Sequence, residues 1–189
     1  MSRLPWRPSA LAGEPKGDRA RSLDEGGEEM ALKARYVLAD CRNAFDLLQE
    51  ETRPEVFRLY WVAGVALARA VGHVLQKVDG EHDATIERAV ASAYAAWKAD
   101  KPANAIFWDF IEQERNQILK EYEVGFLAGP IDVVAGGDLH TLDEHLFCPI
   151  ADGAFAGEDC RDILEQAITW WESQLNSIEA TGRATGDLA

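Results

Sequence analysis

The segment from Leu59 to Leu75 is the strongest constraint on how this chain folds. Its 17 residues are apolar or small except for Arg69 and His73. A helix that is hydrophobic nearly all round must be buried. The segment is slightly short for a membrane span and carries two ionisable side chains, so we expect the central helix of a soluble bundle with no membrane partner.

Four further segments repeat apolar residues at helical spacing. Helix breaks separate them, among them Asp79-Gly80 and Lys101-Pro102, and Pro54 suits the first turn of the second helix. The sequence therefore predicts an all-α, single-domain bundle of about five helices. The predicted bounds are Glu29–Glu51, Pro54–Val78, Asp83–Asp100, Ala103–Val124 and Glu158–Ala180.

Residues 125–157 are rich in glycine and proline, which predicts a long irregular connection before the last helix. At most a short strand is expected, at Ile131–Val134. The domain prediction is a flexible tail over residues 1–29, a helical bundle over 30–181 and a C-terminal tail over 182–189. Met1 and Met30 are the only methionines, and the composition of the tail agrees with either of them as the start.

The charge balance restricts the partners of the chain. With 19 Lys and Arg against 33 Asp and Glu, the formal net charge is −14, which disfavours unspecific coating of nucleic acid but leaves room for a local basic site. Three cysteines in no paired spacing predict free thiols, and the first residues contain no apolar run typical of a signal peptide. We therefore expect a cytoplasmic location.

The fourth helix carries an unexpected charge. An ideal α-helix over Ala103–Val124 places Arg115 in the centre of an apolar stripe and Asn116 at its border. A buried guanidinium needs a partner. It can pair with an acid such as Asp40, extend to the rim of the bundle, or face a functional groove, including one across a homodimer. The other members of the predicted stripe are Trp108, Ile111, Ile118, Leu119 and Tyr122.

Residues 106–122, IFWDFIEQERNQILKEY, resemble the late helix of HEPN-like bundles, a family named for nucleotide-binding domains of higher eukaryotes and prokaryotes. The family motif is an Arg, commonly followed by a polar residue, then a His after four to six intervening residues. Arg115 and Asn116 match it, whereas the three positions open to the histidine hold Lys120, Glu121 and Tyr122.

In active members the Arg and His of two chains cleave RNA without a metal, the Arg stabilising phosphate charge and the His moving a proton. A tyrosine phenol is a poor proton carrier at neutral pH. The resemblance therefore implies a homodimeric, degenerate or weak ribonuclease-type protein that binds RNA or nucleotide in a defence or toxin–antitoxin setting, with no metal or other cofactor. The implied site has Arg115, Asn116 and Tyr122 in the catalytic positions, lined by Lys120 and Trp108.

Two other functions are compatible with the sequence. The net charge and the missing histidine agree with a non-catalytic, acidic interaction or regulatory module that contacts another protein, such as an antitoxin. The segment Asp138–Cys148 also groups metal-ligand residue types, but its spacing matches no closed zinc pattern. Of the three functional hypotheses, the spacing of these residues favours a metal-dependent enzyme least.

Overall fold

The computed structural model describes residues 31–143 and 145–186, and the predicted N-terminal tail lies outside them. Five helices form the body, together with a two-stranded antiparallel sheet, so the mainly helical prediction is confirmed while strictly all-α is wrong. The helices are α1 (Lys33–Glu50), α2 (Pro54–Val74), α3 (Ala84–Ala99), α4 (Glu112–Glu121) and α5 (Cys160–Gly186), and the strands are β1 (Ile131–Ala135) and β2 (Asp138–Leu142).

The core is built around α2 and α5, as the apolar segment predicts. Trp61 and Val65 on α2 are fully buried, as are Ile163 and Trp171 on α5. The α2 helix continues into a π-helical turn, Leu75–Asp79, and then a short helical turn, Gly80–His82. No helix in the described ranges is long and apolar enough to cross a membrane.

The first turn of α1 is capped from a distant part of the chain. Leu32, which precedes α1, has no side-chain acceptor, and the backbone N–H groups of Lys33 and Ala34 donate to the carboxylate of Asp79 at 2.8 and 3.0 Å. Because the first N–H groups of a helix have no partner within it, this carboxylate completes α1 while fixing the end of α2 against it.

The predicted fourth helix is not one regular helix. It begins with a 3₁₀ turn, Pro102–Asn104, continues as a π-helical segment, Ile106–Ile111, and becomes α-helical only in α4. A π-helix closes each turn with an i→i+5 hydrogen bond, so its side chains do not follow the 100° spacing that the sequence argument used. The buried residues of this region are Phe107, Phe110, Ile111, Glu114 and Ile118.

The long connection is more ordered than predicted. It contains the β1–β2 hairpin, closed by Gly136 and Gly137, whose φ angles are 64° and 94°. Two positive φ values are what a two-residue type I′ turn requires. Isolated bridges pair Phe126 with Ile150 and Pro149 with Asp159, so the connection is held against the bundle on both sides of the hairpin.

The last helix is also longer than predicted. It runs from Cys160 to Gly186 rather than ending near Ala180, and its described part includes Gly182, which is buried. Residues 182–186 of the predicted C-terminal tail are therefore helical, and residues 187–189 lie outside the described residues.

Candidate functional site at the end of α4

Arg115 does not lie at the centre of the buried stripe, so this prediction is wrong. Glu114 takes the central place, and Arg115 is half-buried beside it. The Arg115 Nη1 donates to Asn116 Oδ1 at 3.0 Å. Within residues 31–143 and 145–186, no carboxylate forms an ion pair with Arg115, Asp40 included.

Tyr122 ends α4 and is largely exposed. Its φ of 56° is left-handed, the usual way for a helix to stop, and 65% of the residue is accessible. The guanidinium of Arg58, from the first turns of α2, lies 5.5 Å from the centre of the Tyr122 ring, within cation–π range. The neighbouring Lys120 is also exposed. The last two turns of α4 thus carry four of the five predicted site residues, with Arg58 as an unpredicted addition.

Trp108 is the predicted site residue that the structure uses elsewhere. Its indole N–H donates to the Trp97 carbonyl at 3.0 Å, and the ammonium of Lys101 lies 4.6 Å from its ring centre. These contacts fasten the π-helical segment to the end of α3. Both the N–H and a ring face are therefore engaged away from the end of α4.

A cavity of about 360 Å³ opens between the start of α2 and the long connection. Phe57 and Phe126, packed edge-to-face at 5.5 Å, contribute apolar wall, and Arg58 and His145 contribute polar groups. Arg58 therefore belongs both to the cavity and to the exposed Tyr122 surface. The cavity has the mostly apolar lining and few polar groups typical of a small-molecule site.

The position of His145 is fixed by Arg161 and Asp159. Arg161 donates to the carbonyl oxygens of His145 and Leu146 at 3.1 and 2.9 Å, and Asp159 accepts from the backbone N–H of Cys148 at 3.0 Å. Burial acts to raise the pKa of Asp159, but the hydrogen bonds from Arg161 and the backbone hold that pKa below its ordinary value. The carboxylate is therefore charged where it braces the cavity wall.

Glu114 is the central residue of the buried face, and the apolar pattern of the sequence does not predict it. It is 6% exposed, and its Oε1 accepts from Trp61 Nε1 at 3.0 Å and from the Gly125 N–H at 2.7 Å. Burial raises the pKa of Glu114, opposed by these two hydrogen bonds. A side chain at position 125 would overlap Glu114 Oε2 and force the carboxylate to move from the position in which it accepts these two hydrogen bonds. The spacing Ile111, Glu114, Ile118 was the available signal, because it follows one face of an α-helix.

The Asp138–Cys148 segment brings no metal ligands together in its described part. His140 lies exposed on β2 opposite Val133, whereas His145 and Cys148 line the cavity. Across the described residues, no three His, Cys, Asp or Glu side chains are grouped to hold a metal ion. Glu144 lies outside the described residues.

Neither protein-family models, curated proteins nor solved structures match this chain. Its function is therefore inferred from the arrangement of its own side chains.

Proposed function

We propose that this chain is a HEPN-like protein that binds RNA or nucleotide at the end of α4, with the adjoining cavity as part of the site. The observation that carries the proposal is the placement of Arg58. Its guanidinium lies over Tyr122, one of the motif positions, and the same residue lines the cavity. One residue thus links the motif surface with a pocket that can receive part of a nucleotide.

Three cations supply phosphate contacts in this proposal. Arg115 has donors beyond its bond to Asn116, Lys120 is exposed, and Arg58 is held in place by the tyrosine ring. A guanidinium matches the geometry of a phosphate with paired N–H donors. Arg115 and Tyr122 are seven residues apart, which is about 10 Å along a helix. Side chains at this separation can contact neighbouring phosphates of one RNA strand.

Cleavage is not part of the proposal, because no histidine occupies the motif position. A histidine does lie in the proposed site, because His145 lines the cavity together with Arg58. The net charge of −14 opposes the approach of RNA at long range, so we expect weak binding that depends strongly on salt.

The test is fluorescence anisotropy of a labelled, mixed-sequence single-stranded RNA at low salt. Arg58→Ala and Arg115→Ala should each weaken binding about tenfold and lower the slope of log affinity against log salt by roughly one. Arg88→Ala is the matched control, because Arg88 is an exposed arginine on α3 whose hydrogen bond among the described residues goes to the Ala84 carbonyl of its own helix. Equal effects of all three variants, or no binding by the parent protein, would refute the proposal.

A second candidate, the protein-interaction module, is favoured by the outer face of the hairpin. Val134 and Leu139 face each other across β1 and β2, and are 74% and 68% exposed. An exposed apolar cross-strand pair suits a protein contact, including one with a second copy of the chain. Light scattering tests the homodimer: the parent should be dimeric and the double variant Val134→Thr, Leu139→Thr monomeric. If the parent protein is monomeric at high concentration, the hypothesis that the hairpin contacts a second copy of the chain is refuted.

A further inference from the structure

Two of the three cysteines lie side by side at the wall of the cavity. The antiparallel bridge between Pro149 and Asp159 places Cys148 directly opposite Cys160, the first residue of α5. The Cys160 N–H donates to the Cys148 carbonyl oxygen at 2.9 Å, and the thiol of Cys160 is hydrogen bonded to the side chain of Cys148. Residues that face each other in this way have Cα atoms about 5.5 Å apart, which is within the range of a disulfide.

The register of the two cysteines is fixed by the backbone around them. The Ile150 N–H donates to the Glu158 carbonyl oxygen at 2.8 Å, and Asp159 Oδ2 accepts from the Cys148 N–H at 3.0 Å. Both cysteines carry thiols in the structure. A bond between their sulfur atoms therefore requires rotation of the two side chains rather than a rearrangement of the backbone.

The two thiols differ in their access to solvent. Cys148 is 2% exposed and lines the cavity, whereas Cys160 is fully buried. Such narrow access admits a molecule not much larger than water and excludes a bulky peptide disulfide such as oxidised glutathione. Cys148 is therefore the cysteine that a small oxidant contacts first.

Arg161 separates the chemical roles of the two cysteines. Its guanidinium, held by Asp159 at 2.8 Å, interacts electrostatically with both sulfur atoms. A neighbouring cation stabilises the thiolate, which is the nucleophilic form of cysteine. Burial and the hydrogen bond with Cys148 raise the pKa of the Cys160 thiol, so Cys160 keeps its proton until Cys148 has reacted.

We infer that Cys148 and Cys160 form a dithiol site that a small hydroperoxide oxidises to a disulfide, with Cys148 as the attacking residue. The Cys148 thiol loses its proton to solvent, and its sulfur attacks a peroxide oxygen. The S–O bond forms, the O–O bond breaks, and the leaving oxygen takes up a proton as water or an alcohol.

The Cys160 sulfur then attacks the sulfenic acid of Cys148. The S–S bond forms, the S–O bond breaks, and water leaves with the proton of Cys160. The two sulfur atoms together lose two electrons, which the peroxide has accepted. The reaction does not involve RNA, so this inference and the proposed function can fail independently.

The test is oxidation of the folded full chain with hydrogen peroxide, followed by mass spectrometry of its peptides under non-reducing conditions. The parent should give a peptide linked through Cys148 and Cys160, and dithiothreitol should restore both thiols. Oxidised glutathione at the same concentration should form this link at least about tenfold more slowly, because it cannot reach Cys148. No linked peptide in excess peroxide, or equal rates with the two oxidants, would overturn the inference.

Three variants separate the roles of the cysteines. In Cys160→Ser the reaction should stop at the Cys148 sulfenic acid, which dimedone traps, and in Cys148→Ser the Cys160 thiol should stay reduced. Cys41→Ser is the matched control and should form the disulfide at the parental rate, because the buried Cys41 thiol donates to the Gly64 carbonyl and does not line the cavity.

The parent also contains an internal control. Its Cys41 thiol should be oxidised at least about tenfold more slowly than Cys148, and circular dichroism checks that each variant is folded. If Cys160→Ser does not fold, the comparison of the parent with Cys148→Ser decides. Oxidation of Cys160 in Cys148→Ser, or loss of the Cys41 thiol as fast as that of Cys148, contradicts the inference.

Discussion

Removing the Glu114 carboxylate should destabilise the fold strongly, whereas neutralising it should not. In Glu114→Ala the N–H groups of Trp61 and Gly125 lose their acceptor. An unsatisfied buried donor costs about 1–3 kcal/mol, and the Trp61 indole is fully buried, so we expect a loss of about 2–4 kcal/mol. In Glu114→Gln the amide oxygen still accepts both bonds, and the loss should stay below about 1 kcal/mol.

The pH dependence of stability in the parent and in Glu114→Gln gives a second test, in which the direction of the change is predicted. Because burial raises the folded pKa of Glu114, the protonated carboxyl favours the folded state. Its stabilising contribution is complete below the unfolded pKa, ordinarily about 4.5, and declines as pH rises through the folded pKa. The stability of the parent relative to Glu114→Gln should therefore fall as pH rises above that ordinary value, then level off.

The assay is urea unfolding followed by circular dichroism at 25 °C over a series of pH values, with the slope m compared between proteins. Glu121→Gln, an exposed glutamate of the same helix, controls for the loss of one negative charge. A Glu114→Ala protein as stable as the parent, or a parent that gains stability over Glu114→Gln with rising pH, would refute the reasoning.

Two further predictions concern the other buried carboxylates. Asp79→Ala should lower the free energy of unfolding by about 1–2 kcal/mol, the usual cost of a lost N-cap, and should increase amide exchange at Lys33 and Ala34. Asp159, whose folded pKa is lowered, contributes stability above its unfolded pKa, ordinarily 3.8, and loses it as pH falls through the folded pKa. The acid-induced loss of stability should therefore be smaller in Asp159→Asn than in the parent, as circular dichroism during acid titration would show; an unchanged acid transition contradicts this prediction.

The regular helices were predictable because their apolar period is long and uninterrupted. The central position of α2 follows directly from Leu59–Leu75, and the end of α3 from the break at Lys101-Pro102. The break predicted at Asp79-Gly80 is wrong, because helical turns continue from α2 to His82. The π-helical segment Ile106–Ile111 was not predictable, because the apolar pattern of the sequence does not distinguish a π-helical turn from an α-helical one.

The error at the site came from the residues that were assigned to the buried stripe. Leu119 and Tyr122 are exposed in the structure, and without them the buried face of the helix is centred near Glu114 rather than on Arg115. The hairpin could have been predicted from the sequence, since the Gly136-Gly137 pair that follows the apolar residues Val133–Ala135 is a signal for a two-residue turn. The cavity was not predictable, because it joins residues far apart along the chain, such as Arg58 with His145.

The cap on α1 sets an order of events during synthesis. Its acceptor lies 46 residues further along the chain than the first N–H group that it receives. A nascent polypeptide whose Asp79 is still inside the ribosome cannot complete the opening turn of α1, however well the rest of that helix has formed. The completion of α1 therefore requires that the segment after α2 has been synthesised and has packed back against it.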